Sequence, residues 1–115
     1  MPSYDTLKLN KEFRRLYGRG KSAVSPVLVA YVSKNRLEHC RIGITTGKKI
    51  GCAVKRNRAR RVIIAAFRAL LPDISGGYDI VFVARGKTPY VKSNEIYNHM
   101  RRMLKNTGVK LNDND

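Results

Sequence analysis

From Lys11 to Tyr17 the apolar residues Phe13, Leu16 and Tyr17 recur at helical steps. Asn10 stands where a cap is needed, Glu12 lies in the positive first turn, and Gly18 is available as a left-handed closing residue. The pattern predicts a short first helix. Pro26 to Ser33 then reads as a strand, because β-branched and aromatic residues fill both alternating sets: Val27, Val29 and Tyr31 on one face, Leu28, Ala30 and Val32 on the other. Both faces are expected to be covered. A polar stretch from Lys34 to His39 interrupts, and Arg41 to Thr46 alternates again with Ile42 and Ile44 on one side, so a hairpin is the simplest connection.

From about Ala53 to Leu71 the period is helical, with Ala59, Val62, Ile63, Ala66, Phe67 and Leu70 forming a stripe opposite Asn57, Arg61 and Arg68. Pro72, Gly76 and Gly77 end it. Tyr78 to Ala84 is an apolar run broken only by Asp79, which predicts a central, buried strand. A last helix over about Asn94 to Lys105 aligns Ile96, Tyr97, Met100, Met103 and Leu104, where the methionines read as core filler. The whole chain, 1–115, reads as a single domain. Its start, about residues 1–8, and its polar tail, about 107–115, are expected to be mobile.

Charge changes this picture. With 24 Lys and Arg against 8 Asp and Glu, the 115 residues carry a formal +16, yet 43% are hydrophobic, too many for a disordered basic tail. A folded module that binds a polyanion is expected. The longest acid-free segment lies between Glu38 and Asp73 and holds nine bases: Arg41, Lys48, Lys49, Lys55, Arg56, Arg58, Arg60, Arg61 and Arg68. A solvated helix interleaves acids with its bases, since like charges at i, i+4 repel. Compensation is therefore expected from outside the chain. Gly51 before a helix start lets a ligand approach backbone N–H groups, and arginine at 56, 58, 60 and 61 favours forked bonds to phosphate oxygens.

Other chemistry is sparse. Cys40 and Cys52 match no zinc, haem or redox spacing and read as two packed, reduced thiols, and His39 has no accompanying ligand cluster, so no metal site is expected. The acids Asp5, Glu12, Glu38, Asp73, Asp79 and Glu95 show no paired spacing for a two-metal nuclease, and neither histidine has a nucleophile with a third partner. No catalytic residue is assigned. No apolar run is long enough for a membrane span and Met1 to Leu9 lacks the apolar core of a signal peptide, so a cytoplasmic location is expected. Phe13 and Tyr17 on one helix face, Tyr31 in a strand, and the nearby Arg14, Arg15 and Arg19 leave two readings open: core aromatics, which is the commoner use, or a platform for unpaired bases.

The run Lys48-Lys49-Ile50-Gly51-Cys52-Ala53-Val54-Lys55-Arg56-Asn57-Arg58-Ala59-Arg60-Arg61 resembles the signature of the protein subunit of bacterial ribonuclease P, Lys-Lys-x-Gly-Asn-Ala-Val-x-Arg-Asn-Arg-x-Lys-Arg. The resemblance extends to Phe13, Leu16, Tyr17 and Gly20, to Tyr31, to Arg41 with Gly43, and to Tyr78-Asp79-Ile80-Val81. It departs at Cys52, where the family usually has Asn, and at Ile64-Ala65, where an Arg-Glu pair is common. The resemblance implies an α+β fold, a single-domain α-β sandwich of order αβββαβα with a left-handed βαβ crossover. Right-handed connections are the general rule, so periodicity alone predicts the opposite hand.

For function, the resemblance implies a non-catalytic protein subunit that binds the catalytic RNA and the 5′ leader of precursor tRNA. It would be monomeric, one copy per RNA, with divalent metal (Mg) used by the RNA–protein complex and no cofactor held by the protein alone. Lys48, Lys49, Lys55, Arg56, Asn57, Arg58, Arg60, Arg61 and Arg68 would face the RNA subunit, while Phe13, Arg14, Tyr17 and Tyr31 would receive the leader. Ile64 would replace one phosphate contact. A small ribosomal protein shares the charge and fold type and is the alternative.

Overall fold

The strand Tyr78–Ala84 sits at the centre of a five-stranded sheet, as its nearly unbroken apolar run predicts. In the computed structural model, which describes residues 4–112, the elements run β1 (Tyr4–Thr6), α1 (Asn10–Arg19), β2 (Lys21–Val24), β3 (Leu28–Lys34), β4 (Cys40–Thr45), α2 (Ala53–Leu70), β5 (Tyr78–Ala84) and α3 (Ser93–Asn106). The order is αβββαβα preceded by one short strand, an α+β single-domain arrangement. Spatially the strands lie β1-β4-β5-β3-β2, with β4 parallel to both β1 and β5, and β3 antiparallel to β5 and β2.

The expected β3–β4 hairpin does not form, because β5 lies between the two strands. A strand apolar on both faces removes most surface from water when it is paired on both edges and covered on both sides. The hairpin that does form joins β2 to β3, with Lys21 opposite Val32 and Ser22 opposite Tyr31. The start of the chain also departs from expectation. Tyr4–Thr6 pairs with β4, and Leu7 is buried with its N–H donating to the Ile42 carbonyl at 2.8 Å. At the other end Val109 is buried, Leu111 bridges to Ile74, and the Asn112 N–H donates to the Asp73 carbonyl at 2.7 Å. Residues 4–7 and 107–112 are thus built into the fold, and residues 1–3 and 113–115 of the expected mobile ends lie outside the described residues.

Two layers of helix flank the sheet. On one side α2 and α3 cover Leu28, Ala30, Val32, Ile42, Ile80 and Phe82, with Phe67 packed on Phe82 at 5.8 Å between ring centroids. On the other side α1 alone covers a smaller cluster, in which Leu16 and Val81 are fully buried while Phe13, Tyr31 and Val83 are only partly so. The expectation that β3 is covered on both faces fails here: one ten-residue helix, about 15 Å long, cannot roof five strands.

The caps of α1 differ from the predicted ones. Leu9 precedes the helix, its N–H donating to the Glu12 carboxylate at 3.3 Å, and Gly18 lies inside the last turn. Gly20 closes it in an extended conformation, because the chain passes straight into β2 and needs no left-handed residue. A Cβ there would lie 2.6 Å from the Leu16 carbonyl oxygen.

Candidate nucleic-acid interface

A 3₁₀ turn at Lys48–Ile50 leads to Gly51, whose φ of +126° is a conformation glycine adopts freely, and α2 begins two residues later. This geometry presents Lys48, Lys49, Lys55, Asn57, Arg58, Arg60 and Arg61 to solvent around the positive end of α2, with Arg56 half-buried among them. Arg60 reaches back to the end of β4, donating to the Thr46 hydroxyl at 3.2 Å and the Ile44 carbonyl at 3.4 Å. Arg58 donates to the Pro89 carbonyl at 2.6 Å, and the Lys55 ammonium lies 5.3 Å from the centre of the exposed Tyr90 ring. Tyr90 went unread in the sequence, since its only signal is an aromatic beside a proline turn. Arg68 is exposed but seven residues beyond Arg61, about 10 Å along the helix, so it stands apart from the cluster. Ile64 is half-buried on the same face.

Among the described residues, none of these eight bases forms an ion pair. Arg41, the ninth base of the acid-free segment, corrects the expectation that compensation for this segment comes from outside the chain. It donates to Asp79 through Nε at 2.9 Å and Nη2 at 2.6 Å, and to Glu12 through Nη1 at 2.9 Å. Arg15 and Asn35 complete the shell of Asp79 at 2.9 and 3.0 Å. Burial would raise the Asp79 carboxyl, but the hydrogen bonds from Arg41 and Asn35 and the charges of Arg41 and Arg15 outweigh it and hold the pKa below its ordinary value. The signal for this network was one acid in a buried strand, which must find cations. It ties α1 to β4, β5 and the loop after β3.

Cys40 is packed in the core, and burial pushes its thiol pKa up. Cys52, expected to be packed, is exposed at the residue capping α2. There the Lys55 backbone N–H, aided by that of Val54 and the Lys55 charge, lowers its thiol pKa. His39 bonds to Asp5 at 2.7 Å, not to a metal cluster, and no group of three His, Cys, Asp or Glu gathers among the described residues. Asp5, Glu12, Asp73 and Asp79 all face cationic side chains or histidine, a donor set that does not fit a protein-held ion.

The aromatic residues form a cleft on the half-open face. Phe13, Arg14 and Tyr17 of α1, with Asn10 and Thr45, line a space of about 340 Å³. Tyr17 meets Tyr31 edge to face, 4.9 Å between ring centroids at 81°, and remains 42% exposed. Phe13 lies over Gly43 of β4, where a Cβ would come within 2.5 Å of its ring. Asn10 was read in the sequence only as a helix cap, and Thr45 was not singled out, since no local pattern marks a residue brought to a cleft from another element.

Comparison with known proteins identifies the family and the overall fold. The Ribonuclease P family model matches residues 1–108. The ribonuclease P protein component of Clostridioides difficile (strain 630) is 38% identical over 106 residues, covering 91% of this chain and 93% of that one. The corresponding protein of Thermoanaerobacter sp. (strain X514) is 40% identical over 101 residues, 88% of this chain and 87% of the other. The structure of Staphylococcus aureus RNase P protein superimposes with a TM-score of 0.78 at 32% identity, covering 90% of this chain and 95% of that one. The Thermotoga maritima RNase P protein gives 0.78 at 28% identity, covering 89% and 96%. The ribosomal-protein alternative falls with these matches. Through its arginine-rich helix, its fold and its likeness over nearly the full length, the chain belongs to the family of the bacterial ribonuclease P protein component.

Proposed function

We propose that the two faces divide the work of the subunit: the start of α2 grips the catalytic RNA, and the cleft beneath α1 receives the single-stranded 5′ leader of precursor tRNA. The protein is the RNA-binding, non-catalytic component of ribonuclease P and acts in 5′ maturation of tRNA. The observation that carries the division is the segregation of its cations. Arg15, Arg41 and Arg101 are paired with carboxylates inside the fold, while Lys48, Lys49, Lys55, Arg56, Arg58, Arg60, Arg61 and Arg68 meet none among the described residues. Phosphate supplies the missing charge, and guanidinium forks fit its oxygens.

In the cleft, Tyr17, steadied by Tyr31, and Phe13, laid on Gly43, offer ring faces to bases of any sequence, with Arg14 beside them for the backbone. Metal ions serve the RNA–protein complex. This chain's contribution is to position RNA. We also read β4-α2-β5 as a left-handed crossover. Support comes from Ile42, whose side chain faces the α2 layer while its carbonyl accepts from Leu7 on the β1 side. For an L-residue on a strand running upward and seen from α2, that carbonyl points right, so β1 lies right and β5 left of β4. One protein copy per RNA, in the cytoplasm, completes the reading.

The test is a pair of binding measurements. Replacing Arg56, Arg58 and Arg61 with Ala should weaken the RNA subunit, and Tyr17→Ala should weaken precursor but not mature tRNA. Equal losses for both tRNAs in a Tyr17→Ala protein that melts like wild type would refute the leader assignment.

A further inference from the structure

Opposite the α2 interface, at the far end of the sheet, four more bases converge. Arg19 at the end of α1, Lys21 at the start of β2, Lys34 at the end of β3 and Lys110 after α3 line a pocket of about 330 Å³ with Tyr78 and Gly108. No carboxylate lines it, and none of the four bases is in an ion pair among the described residues. Unlike the bases of α2, these come from separate elements spread between residues 19 and 110, and only the fold assembles them.

The assembly is specific. Lys21 stands opposite Val32 in the β2–β3 register, so Lys34, two residues on, is its diagonal neighbour on the same face, within about 7–8 Å. Lys34 in turn pairs with Tyr78, whose hydroxyl accepts from the Lys110 N–H at 3.2 Å, which brings Lys110 to the same place. The Lys21 ammonium lies over Gly108, 4.0 Å from where a Cβ would stand, at a residue with φ of +95°. Like charges held on neighbouring strand positions destabilise a sheet unless something neutralises them.

We infer that this pocket is a second phosphodiester-binding site, which takes the backbone of an RNA at the opposite end of the sheet from α2. The seven residues of β5 separate the two ends by about 20 Å, since the α2 bases gather at Ile44, Thr46 and Pro89 and the pocket at Tyr78. The site also lies on the α3 side of the sheet, away from the Tyr17–Tyr31 cleft. The inference rests on the RNA-binding role of the protein but not on the assignment of α2. The RNA is either the catalytic subunit or the precursor, and both present the same phosphodiester.

The experiment compares the wild type with two triple variants, Lys21→Ala/Lys34→Ala/Lys110→Ala and Lys21→Arg/Lys34→Arg/Lys110→Arg. Affinity is measured against salt in two arms: for the RNA subunit, and, with preassembled holoenzyme, for precursor tRNA. Losing three phosphate contacts should flatten the slope of log K against log salt by about 2 to 3, and the arginine variant should keep the wild-type slope. Flattening in the first arm identifies the catalytic RNA as the ligand, and flattening confined to the second identifies the precursor. Wild-type slopes for the alanine variant in both arms overturn the site, as does an equal loss in the arginine variant. Arg56→Ala/Arg58→Ala/Arg61→Ala run alongside separates the readings: if it alone flattens the slope, the pocket falls and the α2 assignment stands.

Discussion

Gly43→Ala adds one methyl group to β4 at the floor of the cleft. Built on the existing backbone, that carbon would lie 2.5 and 2.6 Å from Cζ and Cε1 of Phe13, about 1 Å inside the distance at which two carbons attract. The backbone of β4 is paired on both sides, so the ring must move. Phe13 is only partly buried and can swing outward, which should keep the stability cost near the low end of the roughly 1–3 kcal/mol typical of overpacking. The cost to function should be larger. A displaced ring occupies the space a base would use, and losing one stacked base at about 1–3 kcal/mol weakens precursor binding by about 5-fold to 150-fold. Mature tRNA, which lacks the leader, should bind as before.

The assay is a thermal melt of each variant followed by equilibrium binding of both tRNAs to reconstituted holoenzyme. Gly43→Ala/Phe13→Leu provides the internal check, because the shorter side chain makes room for the methyl. The double variant should recover melting temperature relative to Gly43→Ala, a coupling that only residues in contact show. If Gly43→Ala leaves the ratio of precursor to mature affinity unchanged, or if Phe13→Leu adds its own destabilisation in full, then the packing of Phe13 on β4 does not organise the cleft.

Four further outcomes are expected. Tyr17→Ala should lose about 5-fold to 150-fold in precursor affinity, measured by titration against mature tRNA as the control. Arg56→Ala/Arg58→Ala/Arg61→Ala should flatten the salt dependence of RNA-subunit binding by about 2 to 3 units of log K per log salt. Lys87 and Lys92 make a poor control for it, because they flank Pro89 and Tyr90 against α2, and the exposed Arg36 is preferable. Asp79→Asn should cost about 3 kcal/mol near neutral pH, the low end for a broken buried pair because Arg41 keeps Glu12. The Asp79 pKa is lower folded than unfolded, so its contribution is complete above the unfolded value of about 3.9 and is lost as pH falls through the folded one. Chemical denaturation from pH 7 to 2 should show the gap between wild type and variant closing. Phosphate should raise the melting temperature more than chloride at equal ionic strength, by the equivalent of about 2.7 kcal/mol at 100 Kd, and equal shifts would point to screening alone.

The local elements were legible in the chain because their determinants are local. The stripe of Ala59, Ile63, Ala66, Phe67 and Leu70 specifies α2 and its buried face, and the apolar run of Tyr78–Ala84 predicts a central strand, since periodicity records which side of an element meets water. The exposed bases around the start of α2 were legible for the same reason: they lie close together in an acid-free, arginine-rich run. What only the tertiary structure decided depends on pairings between residues far apart in sequence. Whether β3 pairs with β4 or β5 is a competition among long-range hydrogen-bonded ladders, each with similar local propensity, and the strand most apolar on both faces takes the centre. Arg41 looks like one more outward base until β4 sets it beside Asp79, 38 residues away. Tyr17 and Tyr31 look like core until a short α1 leaves their side of the sheet half open. Arg19, Lys21, Lys34 and Lys110 become a site only when one sheet end gathers them. Burial and charge compensation are sums over neighbours in space, and sequence supplies only the neighbours along the chain.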